Sequence, residues 1–167
     1  MKNQVISNRS NSTFTATTQF LNMKKLLALF FCSVFSLAVH AQKADDIVGT
    51  WLTGTGKARV LIFKVDNSYF GMIVWLRDPL NEEGKPKMDK NNPDPKKKTA
   101  PLIGLQMLKA FTFDGSQWEN GTIYDPENGK TYSCTINMKD GKLDVRGYIG
   151  ISLIGRTQVW TRVSTAK

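Results

Sequence analysis

The sequence predicts an all-β domain whose antiparallel strands form a meander that closes into a barrel. Three observations lead to this expectation. Short runs of β-branched and aromatic residues recur at close, even spacing along 42–167, turn-forming residues separate them, and helical periodicity is nearly absent. A meander of this length has two open edges, and pairing of its first and last strands removes both of them.

About eight strands are expected, and most are separated by residues that favour turns. The first strand surrounds Trp51, and the next two flank Asp66-Asn67-Ser68, a composition typical of a hairpin turn. Asp114-Gly115 and Asp140-Gly141 separate later strands in the same way. Only 102–109 has a pattern that would also allow one or two helical turns. After the first, the predicted strands are 58–65, 69–76, 106–113, 117–125, 130–138, 142–149 and 156–163.

The segment 77–101 interrupts this rhythm and is predicted to be a long loop. It contains five of the six prolines and most of the lysine-rich and acidic clusters. A loop of this length in a compact domain is typically a functional flap or a mobile insertion. Because its composition offers few apolar anchors, we expect it to be the most mobile part of 42–167. Its Lys96-Lys97-Lys98 run is a solvated surface or a site for phosphate or lipid headgroups.

The segment 23–41 has the layout of a secretory signal peptide. Its basic start, Met23-Lys24-Lys25, is followed by the apolar run LLALFFCSVFSLAV, which is too short to span a membrane, and then by His40 and the small residue Ala41. We therefore expect export to the periplasm or the medium, with cleavage after Ala41. No transmembrane segment is expected after this processing.

This prediction divides the chain into three parts. Residues 1–22 are rich in Ser, Thr and Asn and have no hydrophobic periodicity. They are interpreted as a non-native or disordered extension that arises from an upstream start codon, with a genuine long n-region as the alternative. Residues 23–41 are the signal peptide, and 42–167 form a single β-barrel domain of a length that allows one modest core.

Cleavage after Ala41 would restrict the chemistry of the remaining domain. It removes the only histidine and one of the two cysteines, and it lowers the formal net charge from +9 to +5, because the removed segment carries four cations and no acid. The thiol of Cys134 then remains without any imidazole, which excludes His-based triads and ordinary His/Cys zinc sites. A mildly basic surface suits anionic envelope material. Nucleic acid is a poor candidate, because no stretch interleaves basic and aromatic residues.

Two motifs at opposite ends of the predicted barrel sequence are related. Gly49-Thr50-Trp51 opens the first strand and Trp160-Thr161-Arg162 closes the last. This arrangement resembles lipocalin-like barrels, in which the tryptophan of G-x-W plugs the closed end and a basic residue of the final strand lies across its ring. The resemblance implies that Trp51 and Arg162 have a structural role in barrel closure.

The last strand also predicts a polar stripe inside the barrel. If Arg162 points inward, side-chain alternation directs Trp160, Gln158 and Arg156 inward as well. The neighbouring strands present apolar faces, to one of which Tyr132 belongs. A cavity with apolar walls and such a stripe fits a small amphipathic or anionic ligand. The alternative is a buried arginine that is satisfied by a carboxylate or by carbonyls of the protein itself.

Several longer segments carry a family resemblance. They are LIGLQMLKAF at 102–111, IYDPENGKTYSC at 123–134 and RGYIGISLIGRTQVWTR at 146–162, together with the GTW motif and the run GMIVWLRDPL. In this order they resemble the bacterial secreted proteins grouped as domain-of-unknown-function family 2147, over nearly all of 47–163. The resemblance implies a small exported barrel of lipocalin-like form with no established activity, so it assigns no catalytic residue and no cofactor.

The chain departs from that family pattern at two places. Many relatives have a cysteine pair in the first hairpin, whereas 66–70 contains none. Ala100 stands where an arginine often precedes the Pro-Leu pair. A redox function, or a function that depends on that arginine, is therefore not carried over to this chain.

Three functions remain open at this point, and the first is favoured. They are a binding module for a small ligand or envelope component, an interaction or structural protein with a filled barrel, and a hydrolase that uses carboxylates. Asp78, Asp89 and Asp125 are the candidates for the hydrolase, but two of them precede proline as ordinary turn initiators. The cluster Asp89, Asn91 and Asp94 lacks the spacing of a calcium loop, so no metal site is assigned. The oligomeric state is left open.

Overall fold

A computed structural model describes residues 43–164. They lie within one compact unit that extends from Gln42 to Lys167. The predicted extension at 1–22, the signal peptide at 23–41 and its cleavage site after Ala41 lie outside the described residues. In the described part of the chain, no helix is both long and apolar enough to cross a membrane.

Eight antiparallel strands, each paired with the next, form a closed barrel in which the last strand also pairs with the first. The predicted all-β barrel is thereby confirmed, and the seven later strands were placed to within one residue at each boundary. The strands are β1 (Gly49–Leu52), β2 (Ala58–Val65), β3 (Ser68–Leu76), β4 (Gln106–Phe113), β5 (Trp118–Asp125), β6 (Lys130–Lys139), β7 (Lys142–Tyr148) and β8 (Gly155–Arg162).

Helical structure is confined to two short 3-10 segments in the described residues, Ala44–Ile47 and Pro95–Lys97. The helical turns allowed by the pattern at 102–109 do not form. β4 begins at Gln106 instead, because this stretch pairs with both β3 and β5 and gains their ladder hydrogen bonds.

The connections define two ends of the barrel. The tight turns β2–β3, β4–β5 and β6–β7 and the 3-10 segment Ala44–Ile47 lie at one end, which we term the closed end. The β6–β7 turn there has φ of 51° at Asp140 and 71° at Gly141, as a two-residue type I′ hairpin requires. The other end, which we term the mouth, carries the connections 53–57, 77–105, 126–129 and 149–154.

Aromatic side chains fill the closed half of the barrel. Trp51, Trp118 and Trp160 are all fully buried, together with Tyr69 and Phe111. The 3-10 segment covers this core and accepts two of the indole hydrogen bonds, since Nε1 of Trp51 donates to the Ile47 carbonyl (2.8 Å) and Nε1 of Trp118 to that of Ala44 (3.0 Å). The Ile47 carbonyl lies at the carboxyl end of the 3-10 segment, where it would otherwise lack a partner.

A glycine on β5 makes room for one of these rings. A Cβ atom at Gly121 would lie 2.3 Å from the ring of Phe111, well inside van der Waals contact. Only glycine therefore allows Phe111 to pack directly against the backbone of the neighbouring strand.

The long β3–β4 connection is attached to the barrel by buried polar groups. Asp89 is completely buried, and its carboxylate accepts hydrogen bonds from the Tyr124 hydroxyl (2.7 Å) and from Nδ2 of Asn92 (2.6 Å). Nδ2 of Asn91 donates to the carbonyls of Pro126 (3.1 Å) and Glu127 (2.9 Å) in the β5–β6 turn. The predicted mobility of this loop remains a prediction, but the loop has anchors that its composition did not indicate, because they are polar.

Candidate ligand site at the barrel mouth

The polar stripe expected on the last strand lies on the inner face of β8. In the β7–β8 ladder, Trp160 pairs with Leu143, Gln158 with Val145 and Arg156 with Gly147. Leu143 and Val145 are buried in the core, so the alternate positions of β8 that face them share the inward direction. Trp160 is 1% exposed, whereas Gln158 and Arg156 are exposed. The stripe therefore runs from solvent at the mouth to the buried core.

Tyr132 lies on β6, on the same wall of the barrel. Cys134, Gly147 and Arg156 form one row across β6, β7 and β8, and Tyr132 is two positions nearer the mouth. Its ring is half-buried, and its hydroxyl accepts a hydrogen bond from Nδ2 of Asn128 (2.9 Å) in the β5–β6 turn. Gly147 contributes no side chain to the wall between Tyr132 and Arg156.

The barrel wall is incomplete beside this stripe, a feature that the sequence analysis missed. β1 pairs with β8 at only two positions, Trp51 with Arg162 and Leu52 with Thr161, because the chain turns away after Leu52. Among the described residues, no strand is paired with the β1-facing edge of β8 from Gly155 to Trp160. This gap near the mouth explains why Arg156 and Gln158 are exposed although they are on the inner face.

The chain that follows β1 passes close to this edge. A Cβ at Gly54 would be 3.0 Å from the Val159 carbonyl oxygen and 3.3 Å from Cβ of Gln158. The sequence contains a signal for the early end of β1 that the sequence analysis did not use. In the run Thr53-Gly54-Thr55-Gly56, two glycines weaken the strand.

Trp160 contributes a buried polar atom without a partner. Its Nε1 has no hydrogen-bond acceptor among the described residues, whereas Trp51 and Trp118 donate to carbonyls. A buried donor without an acceptor costs about 1–3 kcal/mol. The barrel interior therefore has one unsatisfied donor at the inner end of the stripe, to which a ligand atom or a water molecule can provide the acceptor.

Arg156 is a free cation at the outer end of the stripe. The ion pairs of the described residues use Lys57, Lys64, Lys85 and Lys97, and none involves Arg156. The other guanidinium in this region, that of Arg146, is already engaged by hydrogen bonds. The stripe therefore presents one arginine that is available to an anion.

The two residues expected to close the barrel are in direct contact. The guanidinium carbon of Arg162 lies 4.2 Å from the ring centroid of Trp51. Nη1 of Arg162 donates to the Val48 carbonyl at 2.9 Å, and Nη2 donates to that of Asp46. This contact lies at the closed end, remote from the mouth.

Two of the three carboxylates considered for hydrolysis have structural partners. Asp89 is buried beneath the β3–β4 connection, where burial, together with the adjacent Asp89 carboxylate, raises the pKa of Tyr124 to about 12. Asp125 accepts hydrogen bonds from the Glu127 amide (2.9 Å) and from Nδ2 of Asn128 (2.9 Å), which stabilise the β5–β6 turn. Asp78 is exposed in the β3–β4 connection. Within 43–164, no group of three His, Cys, Asp or Glu side chains is arranged to hold a metal ion.

Cys134, the thiol that the predicted cleavage would leave, lies in the core. It is 1% exposed, and burial raises the pKa of its thiol to about 12. A thiol with this pKa is protonated at neutral pH and is therefore a poor nucleophile. It acts here as a small apolar core residue.

An eight-stranded antiparallel meander whose last strand pairs with its first, with a tryptophan and an arginine in contact at that seam, has a lipocalin-like barrel fold. The chain belongs to the family described as "Uncharacterized protein conserved in bacteria (DUF2147)", which matches residues 49–162. This confirms the family resemblance inferred from the sequence segments.

Among solved structures, the chain is similar to the protein HP1028 from the human pathogen Helicobacter pylori, which is described as belonging to the lipocalin family. The TM-score is 0.63 at 21% sequence identity, over 71% of this chain and 84% of that chain. At this identity the similarity establishes the fold alone. The comparison with curated proteins returned no match.

Proposed function

We propose that the barrel is a binding module for a small amphipathic or anionic molecule, which it holds at its mouth. One observation carries this proposal. The inner face of β8 has an exposed guanidinium at Arg156 without an ion-pair partner in the described part of the chain. Four residues further along the strand, it has a buried indole N–H at Trp160 without an acceptor among the same residues. The stripe thus offers a cation for a charged group and a buried donor for a second polar atom of the ligand.

The remaining site residues fit this assignment. Arginine binds carboxylates and phosphates through two parallel hydrogen bonds, so Arg156 is suited to an anionic head group. Gln158, between the two, offers both donors and an acceptor, and Tyr132 adds an aromatic surface on the neighbouring wall. Among the described residues, no strand is paired with the β1-facing edge of β8 near Arg156, and the guanidinium there is exposed to solvent.

The filled closed half limits how far a ligand can extend inward along the stripe. Three tryptophans and the rings of Tyr69 and Phe111 occupy the interior near the closed end. A compact amphipathic molecule therefore suits the site better than one that requires the full length of the barrel.

Titration with fatty acids, followed by intrinsic tryptophan fluorescence, tests the proposal. Saturable binding is expected for the unmodified protein, and Trp160→Phe identifies the part of the signal that comes from the site. Arg156→Ala should abolish binding and leave the unfolding midpoint unchanged. Lys139→Ala, which removes one exposed cation at the closed end, is the matched control and should bind normally.

Two outcomes would contradict this assignment. Normal binding by Arg156→Ala would remove the anion-binding role. A lower unfolding midpoint in Arg156→Ala with unchanged binding of apolar probes would mean that a group of the protein, not a ligand, satisfies the arginine.

We also propose that the protein acts after export, in the periplasm or the medium. The support is the layout of 23–41 and the position of Ala41 after the apolar run. Amino-terminal sequencing of the exported protein should begin at Gln42. A retained Met1 or Met23 would contradict the proposal.

A further inference from the structure

The β7–β8 loop at the mouth is an exposed apolar surface. Ile149, Ile151, Leu153 and Ile154 are 68%, 60%, 84% and 71% exposed. Isolated apolar residues are common on protein surfaces, but four large aliphatic side chains within six consecutive positions form a patch, and such patches mark interaction sites. We term this group the aliphatic loop.

Arg146 holds the aliphatic loop in its projecting conformation. From β7, its Nε donates to the Ser152 carbonyl (2.8 Å), Nη2 to the Leu153 carbonyl (3.2 Å) and Nη1 to Oγ1 of Thr157 (3.0 Å). A guanidinium that makes hydrogen bonds to the loop backbone on one side and to β8 on the other fixes the loop relative to the barrel. The apolar side chains are therefore presented outward by an ordered hydrogen-bond arrangement.

We propose that the aliphatic loop docks the protein on an anionic lipid surface by inserting its side chains between the headgroups. Charge complementarity supports lipid as the occupant. Arg146 on β7 and Arg156 on β8 flank the loop, no acidic residue lies between Val145 and Trp160, and Arg156 has no ion-pair partner among the described residues. Basic side chains next to an inserted apolar segment are attracted to anionic headgroups.

The composition and shape of the loop favour lipid over a protein partner. The cores of protein interfaces are enriched in aromatic residues and methionine, and the aliphatic loop contains neither. All four of its side chains are exposed, and a fluid lipid surface accommodates them without a complementary pocket. This docking shares Arg156 with the ligand site proposed above, but the aliphatic loop is needed only for the docking, which would place the mouth against the membrane.

Sedimentation with vesicles tests the docking. The chain from Gln42 onward is used, because the whole barrel and its core lie within it and the apolar run of 23–41 is absent. We expect more protein to sediment with vesicles of phosphatidylcholine and phosphatidylglycerol than with phosphatidylcholine alone. The double variant Leu153→Ser/Ile154→Ser should lose roughly tenfold or more in partitioning, since it removes two of the four large aliphatic side chains.

Two further variants make the test specific. Val65→Ser changes an exposed aliphatic residue at the closed end (49% exposed) and should sediment like the unmodified protein. Arg156→Gln should reduce the preference for anionic vesicles while the far-ultraviolet circular dichroism stays unchanged. Because the chain carries a net positive charge, a general electrostatic attraction to the vesicles would be weakened equally by Lys139→Gln at the closed end. If the loop is the docking site, we expect Lys139→Gln to have little effect.

Three results would overturn the proposal. They are absence of vesicle binding by the unmodified protein, normal binding by the double serine variant, and equal effects of Arg156→Gln and Lys139→Gln. If the double variant instead converts a dimer of the unmodified protein to a monomer in sedimentation velocity without changing vesicle binding, the loop is a protein interface. Fatty-acid binding by the double variant is measured separately. If it persists, the ligand site is intact, and the result of the vesicle test concerns the docking proposal alone.

Discussion

Arg162 and Trp51 face each other across the seam where the last strand of the barrel meets the first. Their Cα atoms are direct partners in the β1–β8 ladder, and the guanidinium carbon of Arg162 lies 4.2 Å from the indole centroid. The same guanidinium donates to the carbonyls of Val48 and Asp46, in and next to the amino-terminal 3-10 segment. This seam has only two paired positions, and the arginine adds one stacking contact and two hydrogen bonds to carbonyls beside it.

Replacement of either residue should therefore destabilise the fold. Trp51→Ala should lower the free energy of unfolding by about 3–5 kcal/mol, as truncation of a large buried aromatic residue does. Arg162→Lys should cost less, because lysine keeps the charge but loses the planar stack and one of the two carbonyl contacts. Urea unfolding of the single and double variants measures the coupling between the two sites. Strictly additive effects would contradict a direct contact.

The buried carboxylate of Asp89 should control the β3–β4 connection. Asp89→Ala leaves the buried Tyr124 hydroxyl and the Asn92 amide without their acceptor, so we expect a loss of about 1–3 kcal/mol in the free energy of unfolding. Trypsin should first cut the unmodified protein at Lys96–Lys98 and should cut faster in the variant. Asp78→Ala, in the same connection but exposed, is the matched control. First cleavage within 130–138 or 156–163 would contradict this account of the loop.

Tyr124 should contribute to stability in a way that depends on alkaline pH. Its pKa is about 12 in the folded protein and 10.0 ordinarily, so the folded state holds the phenolic proton more tightly than the unfolded state does. The resulting stabilisation is complete below the ordinary value and is lost as the pH rises from about 10 to 12. Tyr124→Phe should remove this part of the pH dependence of the unfolding midpoint. An unchanged alkaline slope would show that the hydroxyl is not buried against Asp89.

The thiol of Cys134 should be inert in the folded barrel. Because its pKa is raised to about 12 by burial, almost no thiolate is present at pH 8, and reagents cannot reach the sulfur. Modification by a disulfide reagent should be slow under native conditions and fast in denaturant. Under native conditions the thiol reacts only when the barrel opens, so the modification rate should be limited by that opening. Rapid native modification would mean that the barrel interior is accessible at this depth.

The sequence by itself determined the strand positions and the turns between them, because these features depend on local information. The contact between Trp51 and Arg162 was expected only from the resemblance to lipocalin-like barrels. A period of two with β-branched and aromatic residues defines a strand, and Asp-Gly or Asp-Asn pairs define the hairpins between strands. The inward direction expected for Arg162 likewise placed Trp160, Gln158 and Arg156 on the inner face of the last strand, because alternate side chains of a strand point to the same face.

Only the tertiary structure decided which of these residues are exposed to solvent and which are in contact with one another. The exposure of Arg156 and Gln158 depends on the early end of β1, which leaves an edge of the distant β8 without a partner. The burial of Asp89 depends on the packing of a 3-10-containing connection against Tyr124, which is 35 positions away in the chain. The conformation of the aliphatic loop depends on the hydrogen bonds that Arg146 of β7 donates to the loop backbone and to Thr157 of β8. Each of these outcomes follows from strand lengths and contacts between remote segments, for which local periodicity contains no information.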